Sequence, residues 1–174
     1  MMGTPKIGII MGSASDIPVI EKGVRVLDEL GIPYEVAIAS AHRTPRDVEG
    51  YAANAAKRGI KVLIAAAGLS AALPGVVAAA TNLPVIGIPI GGGALDGLDA
   101  LLSVTQMPPG VPVGSVGLNA SLNACLMAAR ILAVHDSETY KKLEEWTKKR
   151  ALAVAESRSK LIDLPAAPDE AYTL

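Results

Sequence analysis

The chain is 174 residues long, which suits a single domain, and its sixteen Lys plus Arg against seventeen Asp plus Glu leave a formal charge of −1. With 51% hydrophobic and 19% charged residues it is too apolar for a disordered chain, and it has no global positive field to recruit nucleic acid or anionic membrane. A single cysteine, Cys125, excludes an internal disulfide framework and fits a reducing compartment; residues 1–6 lack a secretory signal pattern, so the expected location is cytoplasmic.

Residues 6–12, KIGIIMG, form a short apolar run without polar alternation, the pattern of a parallel strand covered on both faces. An amphipathic helix follows. Pro18 suits its first turn, Gly31 suits the position past its end, and Ile20, Val24, Leu27 and Leu30 recur at helical spacing. The unit then repeats: residues 34–39 read as a strand, Thr44 as an N-cap with Pro45 at the first helical position, and Gly59 as the terminator of a helix burying Val48, Tyr51, Ala52 and Ala55. Residues 61–67 predict a third strand, 73–81 a short Ala-rich helix, 84–90 a fourth strand, 111–117 a fifth, and 120–134 a further helix. Pro74, Pro84 and Pro89 break the uncharged stretch 62–95 into pieces too short to span a membrane. Alternating strands and helices predict an α/β fold, a doubly wound, three-layer, flavodoxin-like sandwich about a central parallel sheet.

Between Val62 and Ala129 only Asp96 and Asp99 are charged, so the central helices have little to set against water and are expected to face other subunits of a homo-oligomer. Residues 137–160 are rich in Lys and Glu, with Leu143, Trp146, Ala153 and Leu161 as apolar anchors. They predict a long C-terminal helix packed either on a neighbouring subunit or on its own. One domain then covers residues 1–164, and the Pro/Ala segment 165–174 is expected to be a loose tail.

Ligands of an open parallel sheet bind outside the carboxyl ends of its strands, so the residues after each strand are the candidates for chemistry. After the first, Gly12-Ser-Ala-Ser-Asp16 is small and hydroxylated and leads into a helix N-terminus that favours an anion such as phosphate; the plain alternative is a helix cap by Ser15 or Asp16. After the second, His42 and Arg43 stand side by side in a chain with two histidines. A guanidinium there can hold phosphate bidentately, and an imidazole can transfer a proton near neutral pH. His135, after an apolar helix, reads as a helix-end residue. The loop 68–75 offers backbone amides and one hydroxyl, Ser70, while the loop 91–97 has the flexibility of a lid and equally the composition of a plain solvent loop. No cluster has metal-ligand spacing, and no nucleophile elbow is present.

Taken in order, the segments 11–16 (MGSASD), 40–45 (SAHRTP), 73–75 (LPG), 95–103 (LDGLDALLS), 106–108 (QMP) and 110–113 (GVPV) resemble the PurE family of purine biosynthesis, over residues 6–160. Members are N5-carboxyaminoimidazole ribonucleotide mutases or aminoimidazole ribonucleotide carboxylases, and both make 4-carboxy-5-aminoimidazole ribonucleotide. The resemblance implies a three-layer α/β sandwich assembled as a homo-octamer, a small ribonucleotide substrate, and no metal or organic cofactor. It implies that Ser13 and Asp16 hold the ribose phosphate and ribose hydroxyls, that Ser40, Arg43, Gly68 and Ser70 contact substrate with Arg43 on phosphate, and that His42 is the catalytic proton shuttle.

One loop departs from the pattern. Bacterial mutases carry Gly-Gly-Ala-Ala-His-Leu-Pro-Gly after the third strand, whereas here the loop is GLSAALPG, with Ala72 in place of the histidine. Animal-type carboxylases have a serine and no histidine in this loop, to which Ser70 is similar. Arg43 after His42, where the animal type has Lys, and Gln106-Met-Pro108 favour the mutase. The alternatives are a carboxylase using free carbon dioxide, a relative acting on another ribonucleotide, and a non-catalytic flavodoxin-like nucleotide-binding module.

Overall fold

The computed structural model describes residues 3–173. Among them, β1 (Ile7–Met11), β2 (Tyr34–Ile38), β3 (Val62–Gly68), β4 (Val85–Ile90) and β5 (Gly114–Ser115) form a five-stranded parallel sheet in the order β2-β1-β3-β4-β5. Six α-helices connect or follow them: α1 (Ile17–Leu30), α2 (Pro45–Ala53), α3 (Leu73–Ala79), α4 (Leu98–Thr105), α5 (Ser121–Ala133) and α6 (Ser137–Ser157). This is the doubly wound, flavodoxin-like order expected from the alternation. No described helix is long and apolar enough to cross a membrane.

The two-residue period of the strands sorts their side chains into two cores. Ile7, Ile9 and Met11 of β1, with Val62, Ile64 and Ala66 of β3, pack against α1 and α5, while Leu143 of α6 closes the edge of that layer. Ile10, Leu63 and Ala65 face the other way, against Val48 of α2, Val77 of α3 and Val104 of α4. Glycines set two of the close approaches. A Cβ at Gly8 would stand 2.7 Å from Leu63 Cδ2 and 2.8 Å from Tyr51 Oη, and one at Gly23 would meet the backbone of Ser121 at 2.7 Å, so α1 and α5 cross in near backbone contact. Ser121 Oγ donates to the Val19 carbonyl at the same crossing.

Several expected boundaries move for identifiable reasons. The fifth strand, expected over 111–117, contracts to Gly114–Ser115 because Pro112 has no N–H to pair. Its ladder continues irregularly, with Val116 N donating to Gly87 O and Asn119 N to Pro89 O. Thr44 stands at the N-cap position of α2 but does not cap it; its Oγ1 instead accepts from Ser40 N at 3.0 Å. Helix α2 stops at Ala53, and a 3-10 turn, Ala56–Arg58, carries the chain to Gly59 in the left-handed conformation, φ 97°. Tyr51 is half-buried under the Arg58 guanidinium, which itself pairs with Glu35 at 2.8 Å.

Helix α6 is capped by Asp136, whose carboxylate accepts from Glu138 N and Thr139 N. Trp146 Nε1 donates to Glu29 Oε2 at 3.0 Å and ties α6 to α1. Beyond Trp146, Ala153 and Leu161, expected as anchors, are exposed, while Ala151 and Ala155 are half-buried. Farther on, the Arg158 guanidinium lies 3.7 Å over the Tyr172 ring.

Candidate active site

The order β2-β1-β3 places the topological switch between β1 and β3, where the connections diverge to opposite faces and leave a crevice at the carboxyl ends of the strands. A cleft of about 690 Å³ occupies that place. Its lining includes Ser13, Asp16, Ser40, His42, Arg43 and Gly68, all named from the sequence, so three strand ends converge on one volume, and Ile90 and Gly91 bring in a fourth. Ser70, also named, is exposed and is not among the lining residues. A second cavity of similar size, lined by Lys6, Lys61 and Lys142, lies at the opposite end of the sheet and shares none of these residues.

The first loop is held by its own hydroxyls. Ser13 Oγ accepts from Ser15 N at 3.3 Å and from the Ser15 hydroxyl at 2.9 Å, capping the 3-10 turn Ala14–Asp16 that leads into α1. Neither Ser15 nor Asp16 caps α1 itself. Asp16 is only 7% exposed, and burial raises its carboxyl above the usual aspartate range, offset in part by hydrogen bonds from Ser15 and the Ser13 backbone. Its Oδ1 accepts from the Ser15 hydroxyl at 3.2 Å, and the carboxylate has further acceptor capacity toward the cleft that it lines.

Arg43 joins the second loop to the first. Its Nη2 donates to the Gly12 carbonyl at 2.9 Å, and its Nε reaches Ser40 Oγ at 3.4 Å. Ser40 Oγ also accepts from Arg43 N at 3.3 Å, so the loop closes on itself and aims the guanidinium across the mouth of the cleft. The remaining guanidinium N–H groups stay available for an anion. His42 is exposed between them, and no described residue hydrogen-bonds its ring.

The other wall is apolar. Ala67, Ala71, Ala72, Leu73 and Ile90 line it, and Ala72 contributes no acid or base. Gly91 to Gly93 complete the rim, anchored where Gly91 N donates to Asn119 Oδ1 at 2.9 Å. Asn119 and Leu69 were not among the residues named from the sequence, yet both hold left-handed backbone here, with φ of 55° and 53°. Asn119 had a signal: it follows the fifth strand, where the rule applied to the other strands also holds. Cys125 is buried in the core, and burial pushes its thiol up to about 12, which leaves it no role as a nucleophile.

Known proteins resemble this chain over most of its length. The model of the family described as AIR carboxylase matches residues 6–152. The N5-carboxyaminoimidazole ribonucleotide mutase of Pyrococcus horikoshii is 49% identical over 92% of this chain and 90% of its own. The phosphoribosylaminoimidazole carboxylase of Saccharomyces cerevisiae is 51% identical over 92% of this chain, which spans only 28% of that protein's length. The crystal structure of a Treponema denticola PurE2 variant superposes with a TM-score of 0.83 at 31% identity, covering 92% of this chain and 99% of its own. A switch-point cleft on this sheet order, a family match over most of the chain and relatives of near 50% identity place the chain in the AIR carboxylase (PurE) family.

Proposed function

We propose that the protein acts in purine biosynthesis as an N5-carboxyaminoimidazole ribonucleotide mutase, moving the carboxylate from the exocyclic nitrogen to the ring carbon. The observation that carries this reading is the convergence of His42, Arg43, Ser13, Asp16 and Ser40 on one cleft with an apolar far wall. Arg43, Ser13 and Ser40 hold the phosphate at the polar end, Asp16 accepts from the ribose hydroxyls, and the imidazole ring extends toward the apolar wall. There the N–C bond of the carbamate breaks, carbon dioxide leaves, and His42 gives a proton to the nitrogen. The ring carbon attacks the carbon dioxide and His42 takes back the proton that this carbon loses, so no atom is gained or lost and no cofactor is needed.

A second reading has its own support. Ala72 supplies no histidine to the apolar wall, and the yeast relative is named a carboxylase, so a reaction of aminoimidazole ribonucleotide with free carbon dioxide fits the same cleft. We also propose that the chain assembles as a homo-octamer, in which the exposed apolar surfaces meet.

Two substitutions test the assigned roles. His42→Asn abolishes turnover while isothermal titration still shows ribonucleotide binding; undiminished turnover removes His42 from the mechanism. Arg43→Ala weakens ribonucleotide binding by about 1.5 to 3 kcal/mol, the loss expected for a charged hydrogen bond. Unchanged affinity shows that Arg43 only braces the Gly12 carbonyl.

A further inference from the structure

Leu69 combines three properties that packing alone does not explain. Its backbone is left-handed, φ 53°, a region where a side chain is penalised and glycine is not. Its side chain is 59% exposed although it is large and apolar. It also lines the cleft, over the wall formed by Ala71, Ala72 and Ile90. A Cβ at Gly93 would stand 2.6 Å from Leu69 Cδ2, so this side chain spans from the loop after β3 to the glycine loop after β4. Backbone strain retained at the rim of a site, by a residue that gains little burial in return, points to a role in the site.

We propose that Leu69 is the positioning residue that covers the apolar end of the cleft and keeps released carbon dioxide from exchanging with solvent. The inference rests on the carboxylate-transfer reading above. Carbon dioxide is small, neutral and apolar, so neither Arg43 nor His42 can hold it by charge. Walls alone retain it, and Leu69, which lies against Gly93 and is itself exposed, is the large apolar side chain among the lining residues that can close the solvent side.

The test uses Leu69→Gly and Leu69→Ala. Unlabelled N5-carboxyaminoimidazole ribonucleotide is converted in labelled bicarbonate with carbonic anhydrase present, and the labelled fraction of the product is counted. Both variants are expected to raise that fraction at least fivefold over the parent protein. Leu69→Gly should also melt about 2 to 4 °C above Leu69→Ala, because glycine relieves the left-handed backbone while the two lose nearly the same contacts. A labelled fraction unchanged in both folded variants overturns the proposal. If the parent protein does not convert this substrate, the mutase reading fails independently, and the variants are then assayed with aminoimidazole ribonucleotide. A several-fold higher carbon dioxide concentration for half-maximal rate supports the covering role, and an unchanged one overturns it.

Discussion

Asp16 is a buried carboxylate on the first loop of the cleft. Its carboxyl is raised by burial, so the folded chain holds this proton more tightly than the unfolded chain does. Between the unfolded and folded values the native state binds more protons, and stability therefore falls as pH rises through that window. At neutral pH the buried charge is a cost, which Asp16→Asn removes. The variant is expected to melt higher than the parent at pH 7, to lose that advantage when the pH falls below the ordinary aspartate range, and to bind ribonucleotide at least tenfold more weakly. A lower melting temperature at pH 7 would contradict this account. The polar half of the site was legible in the sequence because Ser13, Asp16, Ser40, His42 and Arg43 follow strands directly, where the topology delivers them. Asn119 follows the fifth strand and could have been found by the same rule, whereas the left-handed backbone of Leu69 and its approach to Gly93 depend on conformation and on a contact between distant loops, which residue type does not announce.

At the scale of elements, glycine decides how closely the layers approach. Gly8 lies on the α2 side of β1, where Leu63, Ile60 and Tyr51 already fill the space within 3 Å of an added Cβ. Gly8→Ala is expected to destabilise the fold by about 1 to 3 kcal/mol through overpacking, read as a lower urea midpoint with unchanged slope. An unchanged midpoint means that the α2 layer shifts without cost. The same elements mark what periodicity can and cannot show. The apolar runs of β1, β3 and β4 are strands because they are buried on both faces, and their hydrophobicity says so directly. The stretch 111–117 carries the same valine signal, but Pro112 and its neighbouring glycines leave it only two residues of regular pairing. Likewise Thr44 has the right residue type and place for a cap, yet Ser40 competes for its hydroxyl and wins.

At the scale of the whole molecule, large apolar side chains stand exposed on several elements. Val36 and Ile38 on the edge strand β2, Leu98 and Leu102 on α4, and Leu152 and Val154 in the C-terminal half of α6 are each about half exposed or more. Sedimentation velocity at micromolar concentration is expected to show a single species of eight chains, and a monomer would contradict the proposed assembly. The central claim concerns chemistry, and one comparison tests it most directly. Purified protein at neutral pH is given either N5-carboxyaminoimidazole ribonucleotide or aminoimidazole ribonucleotide with bicarbonate, at matched low concentrations, and formation of the carboxylated ring is followed. The account predicts fast conversion of the carbamate and slow reaction of the second mixture, with Ala72 sufficient on the apolar wall. Turnover only with aminoimidazole ribonucleotide and dissolved carbon dioxide would contradict it and make the protein a carboxylase.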